Sequence, residues 1–100
     1  MKASGLDEAI EVSKELRGYT FIIFCSDNCG YCNGIEFIIK DIAERFSDSN
    51  VFRVDAHIEC GLADKYSVEN VPTVIIYKNQ DLVDFIVGLQ TPDRYLRKLQ

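Results

Sequence analysis

The sequence predicts an α/β fold, in which a small mixed β-sheet of about four strands carries helices on both faces. Tyr19–Cys25 is an apolar run of aromatic and β-branched residues without alternation, which is typical of a strand buried on both sides. Residues 35–46 then place apolar side chains at helical spacing, and residues 51–55 form a second strand candidate. Because this order is strand, helix, strand, we expect the first two strands to be parallel.

The remaining elements follow from local signals. Ser4 and Asp7 resemble a capping box, and we expect the first helix to stop at Gly18. The last helix is expected to run to Leu99, with Thr91 as its N-cap and a proline at its first position. The other expected elements are a helix from Cys32 that breaks at residues 47–50, a short helix at 59–66, strands at 73–78 and 82–87, and a hairpin turn at 79–81.

Composition narrows the classes of function. A net charge of −5 disfavours nucleic acid and anionic membranes as partners, because both repel an acidic surface. No apolar stretch approaches the roughly 20 residues that a membrane span needs. The first residues lack the apolar block of a secretory signal. We therefore expect residues 1–100 to form a single domain of a cytoplasmic, monomeric protein, in which cysteines stay reduced unless their chemistry requires otherwise.

Cys29 and Cys32 lie between a strand and a helix, where a thiol is both exposed and ionised. We expect Cys29 at or just before the helix N-terminus and Cys32 one turn inside, with the sulfurs close enough to bridge. Cys29 would attack a substrate disulfide and Cys32 would resolve the mixed disulfide. Between them, Gly30 leaves room for a substrate chain and Tyr31 supplies an apolar rim.

Over nearly its whole length the chain resembles thioredoxins and thioredoxin-like disulfide oxidoreductases. The resemblance rests on Cys29-Gly30-Tyr31-Cys32 after a strand, on Val71-Pro72-Thr73 opening a later strand, on the turn at 78–81 and on Gly88. It implies a thioredoxin fold, a cis Pro72 facing the cysteines, and a Val71 backbone that pairs with an extended substrate. It assigns catalysis to Cys29 and Cys32, and substrate binding to Gly30, Tyr31, Val71, Pro72 and Gly88.

By the same resemblance the protein is a protein-disulfide reductase in cellular redox homeostasis. Its partners would be protein disulfides and an electron donor, either a thioredoxin reductase or glutathione. No cofactor and no metal ion is needed, because electrons arrive by thiol exchange.

The chain departs from the thioredoxin pattern at four positions. Asn28 and Cys25 stand where the family has tryptophans, and Phe37 replaces a proline that kinks the helix. Ile23 replaces the buried aspartate that helps to deprotonate the resolving thiol. We therefore predict slow deprotonation of Cys32 near neutral pH, and general disulfide exchange rather than efficient turnover by a standard thioredoxin reductase.

Other interpretations of the cysteines stay open. The tyrosine between them is typical of glutaredoxins, which would use glutathione. A zinc or iron–sulfur site would use Cys25, Cys29, Cys32 and Cys60. The spacing of the first three also matches radical S-adenosylmethionine enzymes, but the chain is far too short for their barrel. Two further interpretations are a thioredoxin-fold adaptor without exchange activity and a pair of buried structural cysteines.

The neighbouring polar residues have simpler interpretations. His57 is expected on the surface and Asp27 in a turn, while Cys25 and Cys60 are expected to be unreactive unless they form a regulatory disulfide. A Cys25 at the end of a strand is also expected to point away from the pair. Arg53 brings a cation near the pair only if the strand register allows it.

Overall fold

The computed structural model describes residues 5–27 and 30–99. Within these residues four strands form one sheet in the order β2-β1-β3-β4, with β1 and β2 parallel and the other neighbours antiparallel. The elements are α1 Gly5–Lys14, β1 Tyr19–Cys25, α2 Cys32–Ala43, β2 Asn50–Asp55, α3 Cys60–Lys65, β3 Thr73–Lys78, β4 Asp81–Val87 and α4 Pro92–Leu96. The predicted mixed sheet and the parallel first pair are confirmed.

Two apolar cores lie on opposite faces of the sheet. Side chains alternate along β1, so Phe21 and Ile23 face α2 and α4, whereas Ile22 and Phe24 face α1 and α3. Every residue of β1 is buried, as predicted for a central strand. Helices therefore cover both faces, and β1 carries the centre of each core.

Helix ends were predicted less well than strands. α1 ends at Lys14 rather than at Gly18. Gly18 lies outside the helix and packs so closely against Asp48 that a side chain at position 18 would clash with the Asp48 carbonyl group. α2 and α4 give way to turns after Ala43 and Leu96, where backbone hydrogen bonds such as Arg45 to Ile42 and Leu99 to Leu96 span three residues instead of four. Thr91 holds the N-cap position of α4, but its side chain makes no capping hydrogen bond. The capping box predicted at Ser4 lies outside the described residues.

The helices of the described residues include none that is long and apolar enough to cross a membrane.

Candidate active site

β1 ends at Cys25, from which the chain leads toward the start of α2. Cys25 and Ser26 are buried, and Asp27 is exposed in a turn. Asn28 and Cys29 lie outside the described residues. The nucleophilic role of Cys29 and its distance from Cys32 therefore stay predictions.

Cys32 is the first residue of α2, and its side chain is only 1% exposed. The prediction that it lies one turn inside the helix is wrong, because residues 30 and 31 still form the turn that precedes the helix. The first helical hydrogen bond runs from the Ile35 amide to the Tyr31 carbonyl at 3.0 Å. The N–H groups of the first helical turn consequently have no acceptor within the helix, and this end favours a negatively charged sulfur.

Cys25 is buried in the same core as Cys32. The alternation of β1 turns Cys25 toward α2, like Ile23 two residues earlier. Cys25 was expected to point away from the pair of Cys29 and Cys32. With respect to Cys32 this expectation is wrong, because the alternation continues to the last residue of the strand. Its expected burial is confirmed.

Arg53 reaches from β2 to the first two turns of α2. Its Nη1 donates hydrogen bonds to Glu36 Oε1 at 2.7 Å and to Asn33 Oδ1 at 3.2 Å. Lys40 Nζ pairs with Glu36 Oε2 at 2.9 Å. Parallel pairing sets Arg53 beside Ile23, so the register brings a cation to the helix that begins at Cys32.

The opposite charges of Glu36 and of its partners Arg53 and Lys40 stabilise one another. Hydrogen bonds from Lys40 and then Arg53 hold the pKa of Glu36 below its ordinary value, against the opposing effect of burial. The hydrogen bond to Glu36 is the main cause that raises the pKa of Arg53, and partial burial opposes it. Ionisation of Cys25 or Cys32 would raise the pKa of Arg53 further.

The Val71-Pro72 segment forms a second part of the site. Its peptide bond is cis, which confirms the expectation. The Gly88 amide donates a hydrogen bond to the Pro72 carbonyl at 2.8 Å, and Thr73 Oγ1 donates one to the Asn70 carbonyl at 2.6 Å. Gly88 has φ +85°, a left-handed conformation that favours glycine. The described strand pairs end at Thr73, which leaves Val71 beyond the sheet.

Tyr95 of α4 supports this segment, a role that the sequence did not reveal. Its side chain is fully buried, and its hydroxyl group donates to the Gly88 carbonyl and accepts from the Gln90 amide, each at 3.3 Å. Burial raises the pKa of Tyr95, so the hydroxyl keeps the proton that it donates. The only sequence signal was an aromatic residue one turn into a short helix.

A cleft of about 270 Å³ opens beside Val71. Its walls include Ser26, Ala56, His57, Cys60, Val68 and Val71. His57 is exposed, as predicted, and so is Cys60. A side chain at Gly30 would meet no described atom within 4 Å, and Tyr31 is 60% exposed. Gly30 and Tyr31 are therefore open to a large partner.

Within residues 5–27 and 30–99, no group of three or more His, Cys, Asp or Glu side chains is placed to hold a metal ion. Cys60 is exposed on α3, whereas Cys25 and Cys32 are buried on the α2 side of the sheet. This separation does not favour the four-cysteine zinc or iron–sulfur site.

The thioredoxin family profile matches residues 6–100. The chain belongs to the thioredoxin family. Thioredoxins are thiol–disulfide oxidoreductases, and the expected fold and enzyme class are thereby confirmed.

Individual thioredoxins show a distant but extensive similarity. The thioredoxin of Chlamydia trachomatis is 28% identical over 80 residues, which are 80% of this chain and 78% of that protein. The thioredoxin of Staphylococcus aureus is 29% identical over 79 residues, which are 78% and 76% of the two chains. A mutant thioredoxin from Halobacterium salinarum superposes with a TM-score of 0.78 and 26% identity, covering 98% of this chain and 88% of that one.

Proposed function

We propose that this thioredoxin-family protein reduces protein disulfides by thiol–disulfide exchange through Cys29-Gly30-Tyr31-Cys32. The observation that supports it best is the position of Cys32. This cysteine is buried and is the first residue of α2, and the cation of Arg53 reaches the same helix from β2. A resolving thiol needs this arrangement, because it must remain protected until a mixed disulfide forms and then ionise.

In the proposed reaction the Cys29 thiolate attacks one sulfur of the substrate disulfide, and the other sulfur leaves as a thiolate. The Cys32 thiolate then attacks Cys29, which forms the Cys29–Cys32 disulfide and releases the second substrate thiolate. Both released thiolates take up protons. A dithiol of a thioredoxin reductase, or two molecules of glutathione, returns the pair to the reduced state by the same exchange.

For substrate binding we propose that an extended segment pairs with the backbone of Val71 as an added strand. Val71 lies past the last described strand pair, at the edge of the open cleft. Pro72 contributes its buried ring to the site, and Gly88 contributes through the hydrogen bond that holds the Pro72 carbonyl. Gly30 and the exposed Tyr31 would form the other rim.

The proposal also covers the oligomeric state, the cellular compartment and the electron donor of the protein. We infer that residues 1–100 act as one monomeric, thioredoxin-like domain in the cytoplasm, without a bound cofactor or metal ion. The electron donor is a thioredoxin reductase or glutathione, and reduction assays with each donor alone would distinguish them.

The test compares two single-cysteine variants in insulin reduction with dithiothreitol. Both Cys29→Ser and Cys32→Ser should lose turnover, but only Cys32→Ser should accumulate a mixed disulfide with substrate, because it keeps the nucleophile and lacks the resolving thiol. Trapping by Cys29→Ser would reverse the two roles. A folded wild-type protein without reductase activity would instead identify an adaptor.

A further inference from the structure

β2 forms one edge of the sheet, and its strand partner among the described residues is β1. The Ala56 amide donates a hydrogen bond to the Cys25 carbonyl at 2.8 Å, which fixes how the backbone of β2 is turned. Because successive residues of a strand direct their backbone groups to opposite sides, Phe52 directs its N–H and C=O groups toward β1. Val51 and Arg53 direct theirs away from the sheet. The outer edge of β2 therefore presents backbone donors and acceptors.

β2 lacks the proline and the guarding charge that commonly protect an open edge. The strand is six residues long and contains no proline. Its cation does not cover the edge, because Arg53 is held across α2 by hydrogen bonds to Asn33 and Glu36. Within the described part of the chain, no hydrogen bond outside the sheet engages the backbone of Val51 or Arg53. Such an edge is a template on which another strand can pair.

A hollow of about 470 Å³, here called the α1 hollow, lies between α1 and β2. Its apolar walls include Ala9, Val12, Leu16 and Phe52. Val12 is 60% exposed and Leu16 is 48% exposed. Because the side chains of an added strand alternate between the two faces of a sheet, every second one would point to the face that carries this hollow. The hollow therefore fits an apolar side chain of such a strand.

A smaller hollow of about 250 Å³, the α2 hollow, lies on the other face of the same edge. Its lining residues are Lys40, Ala43, Glu44, Ser49 and Val51. Glu44 is exposed, and so is Glu8, which lines the α1 hollow. The ion pairs of the described residues include neither carboxylate. Charge complementarity therefore favours a basic occupant, whereas a second copy would bring the same carboxylates and a net charge of −5.

We propose that the open edge of β2 binds an extended, basic segment of another protein as an added strand. An apolar side chain of the segment fills the α1 hollow, and lysine or arginine side chains lie beside Glu8 and Glu44. Backbone hydrogen bonds to Val51 and Arg53 supply affinity, and the hollows supply specificity. The edge is separate from the Val71 segment proposed for disulfide substrates, because β1 lies between β2 and β3. Binding at β2 therefore does not depend on exchange activity.

The first test measures amide hydrogen exchange in the free, full chain by NMR. The Val51 and Arg53 amides should exchange at least about 10-fold faster than the Phe52 and Val54 amides, which face β1. Slow exchange of all four amides in a monomer would show that the edge is already covered, and would overturn the proposal. A chain that sediments as a dimer with these amides protected would identify a second copy as the occupant, which also overturns it.

The second test adds a synthetic peptide of about eight residues with blocked ends, which has two leucines at alternate central positions and lysine elsewhere. Saturating peptide should slow exchange of the Val51 and Arg53 amides by about 10-fold or more. Replacing its lysines with glutamate should weaken binding by at least about 10-fold. Unaltered binding of the glutamate peptide would overturn the basic character of the occupant.

N-methylation of the peptide separates strand pairing from unspecific attraction between opposite charges. Methyl groups on one set of alternate residues remove the N–H groups that face β2 and should abolish binding. Methyl groups on the other set point to solvent and should be tolerated. Equal effects of the two sets would show that no strand is added and would overturn the proposal.

Leu16→Gln tests the α1 hollow, and Leu82→Gln is its matched control. Leu82 is 56% exposed, close to the 48% of Leu16, but lies in β4 at the opposite edge of the sheet. Leu16→Gln should weaken peptide binding by about 3–10-fold, whereas Leu82→Gln should leave it unchanged. Neither residue belongs to the proposed reductase site, so insulin reduction should stay at the wild-type level in both variants. Equal peptide affinities of the two variants would overturn the role of the α1 hollow and the proposal with it.

Discussion

Two ion-pair clusters lie near opposite edges of the sheet and differ in burial. In the β2-edge cluster, Glu36 of α2 pairs with Arg53 and Lys40. In the β4-edge cluster, Asp84 of β4 accepts hydrogen bonds from Nη1 and Nη2 of Arg94, at 2.5 and 3.3 Å, and Lys98 Nζ lies 3.7 Å from Asp84 Oδ1.

Exposure separates the roles of these clusters. The side chain of Asp84 is 4% exposed, against 20% for Glu36, and the arginines are 25% and 38% exposed respectively. Burial alone would raise the pKa of Asp84, but hydrogen bonds from Arg94 and the Phe85 amide outweigh it, and the net effect lowers the pKa. Similar chemistry therefore connects β4 to α4 at one edge, and at the other connects β2 to α2, the helix that begins at Cys32.

The largest expected contrast is in stability. Asp84→Asn should lower the free energy of unfolding by about 2–3 kcal/mol, because it leaves Arg94 without its buried charged partner. Glu36→Gln should cost less than about 1 kcal/mol, since its partners remain solvated. Urea denaturation of both variants measures the difference. Equal losses would remove the distinction between the clusters.

The pH dependence of stability sharpens the same contrast. The folded pKa of Asp84 is lowered, so its contribution to stability is present above the unfolded value of about 3.9 and is lost as the pH falls through the folded pKa. The stability difference between wild type and Asp84→Asn should therefore stay constant from about pH 5 to 8 and shrink below about pH 4. A difference that persists at the lowest pH at which both proteins fold would show that shape, not charge, is responsible.

Salt should produce the smallest effect. The screening length falls from about 10 Å at 0.1 M salt to about 3 Å at 1 M, which weakens exposed interactions first. The stability cost of Glu36→Gln should shrink at 1 M NaCl, while that of Asp84→Asn changes little. Urea denaturation curves of both variants at both salt concentrations measure this. Equal salt sensitivity would contradict the interpretation that the β2-edge cluster is the more exposed of the two.

Local sequence determined most of the scaffold. The bounds of β1 and β3 were predicted correctly, because an uninterrupted apolar run and a proline before a strand are signals within a few residues. A helix was likewise expected directly after β1, although α2 begins at Cys32 and not one turn before it. The apolar stripe of α2 also forms core, as its spacing predicted.

Tertiary structure alone decided how the site is assembled. Arg53 meets Glu36 across 17 residues of sequence, and its approach depends on the parallel register that sets it beside Ile23. Gly88 holds the Pro72 carbonyl and is itself held by Tyr95, although Pro72 precedes β3, Gly88 follows β4 and Tyr95 lies in α4. A sequence pattern records periodicity over neighbouring residues, whereas charge placement near a thiol depends on distances that exist only after strands and helices have packed.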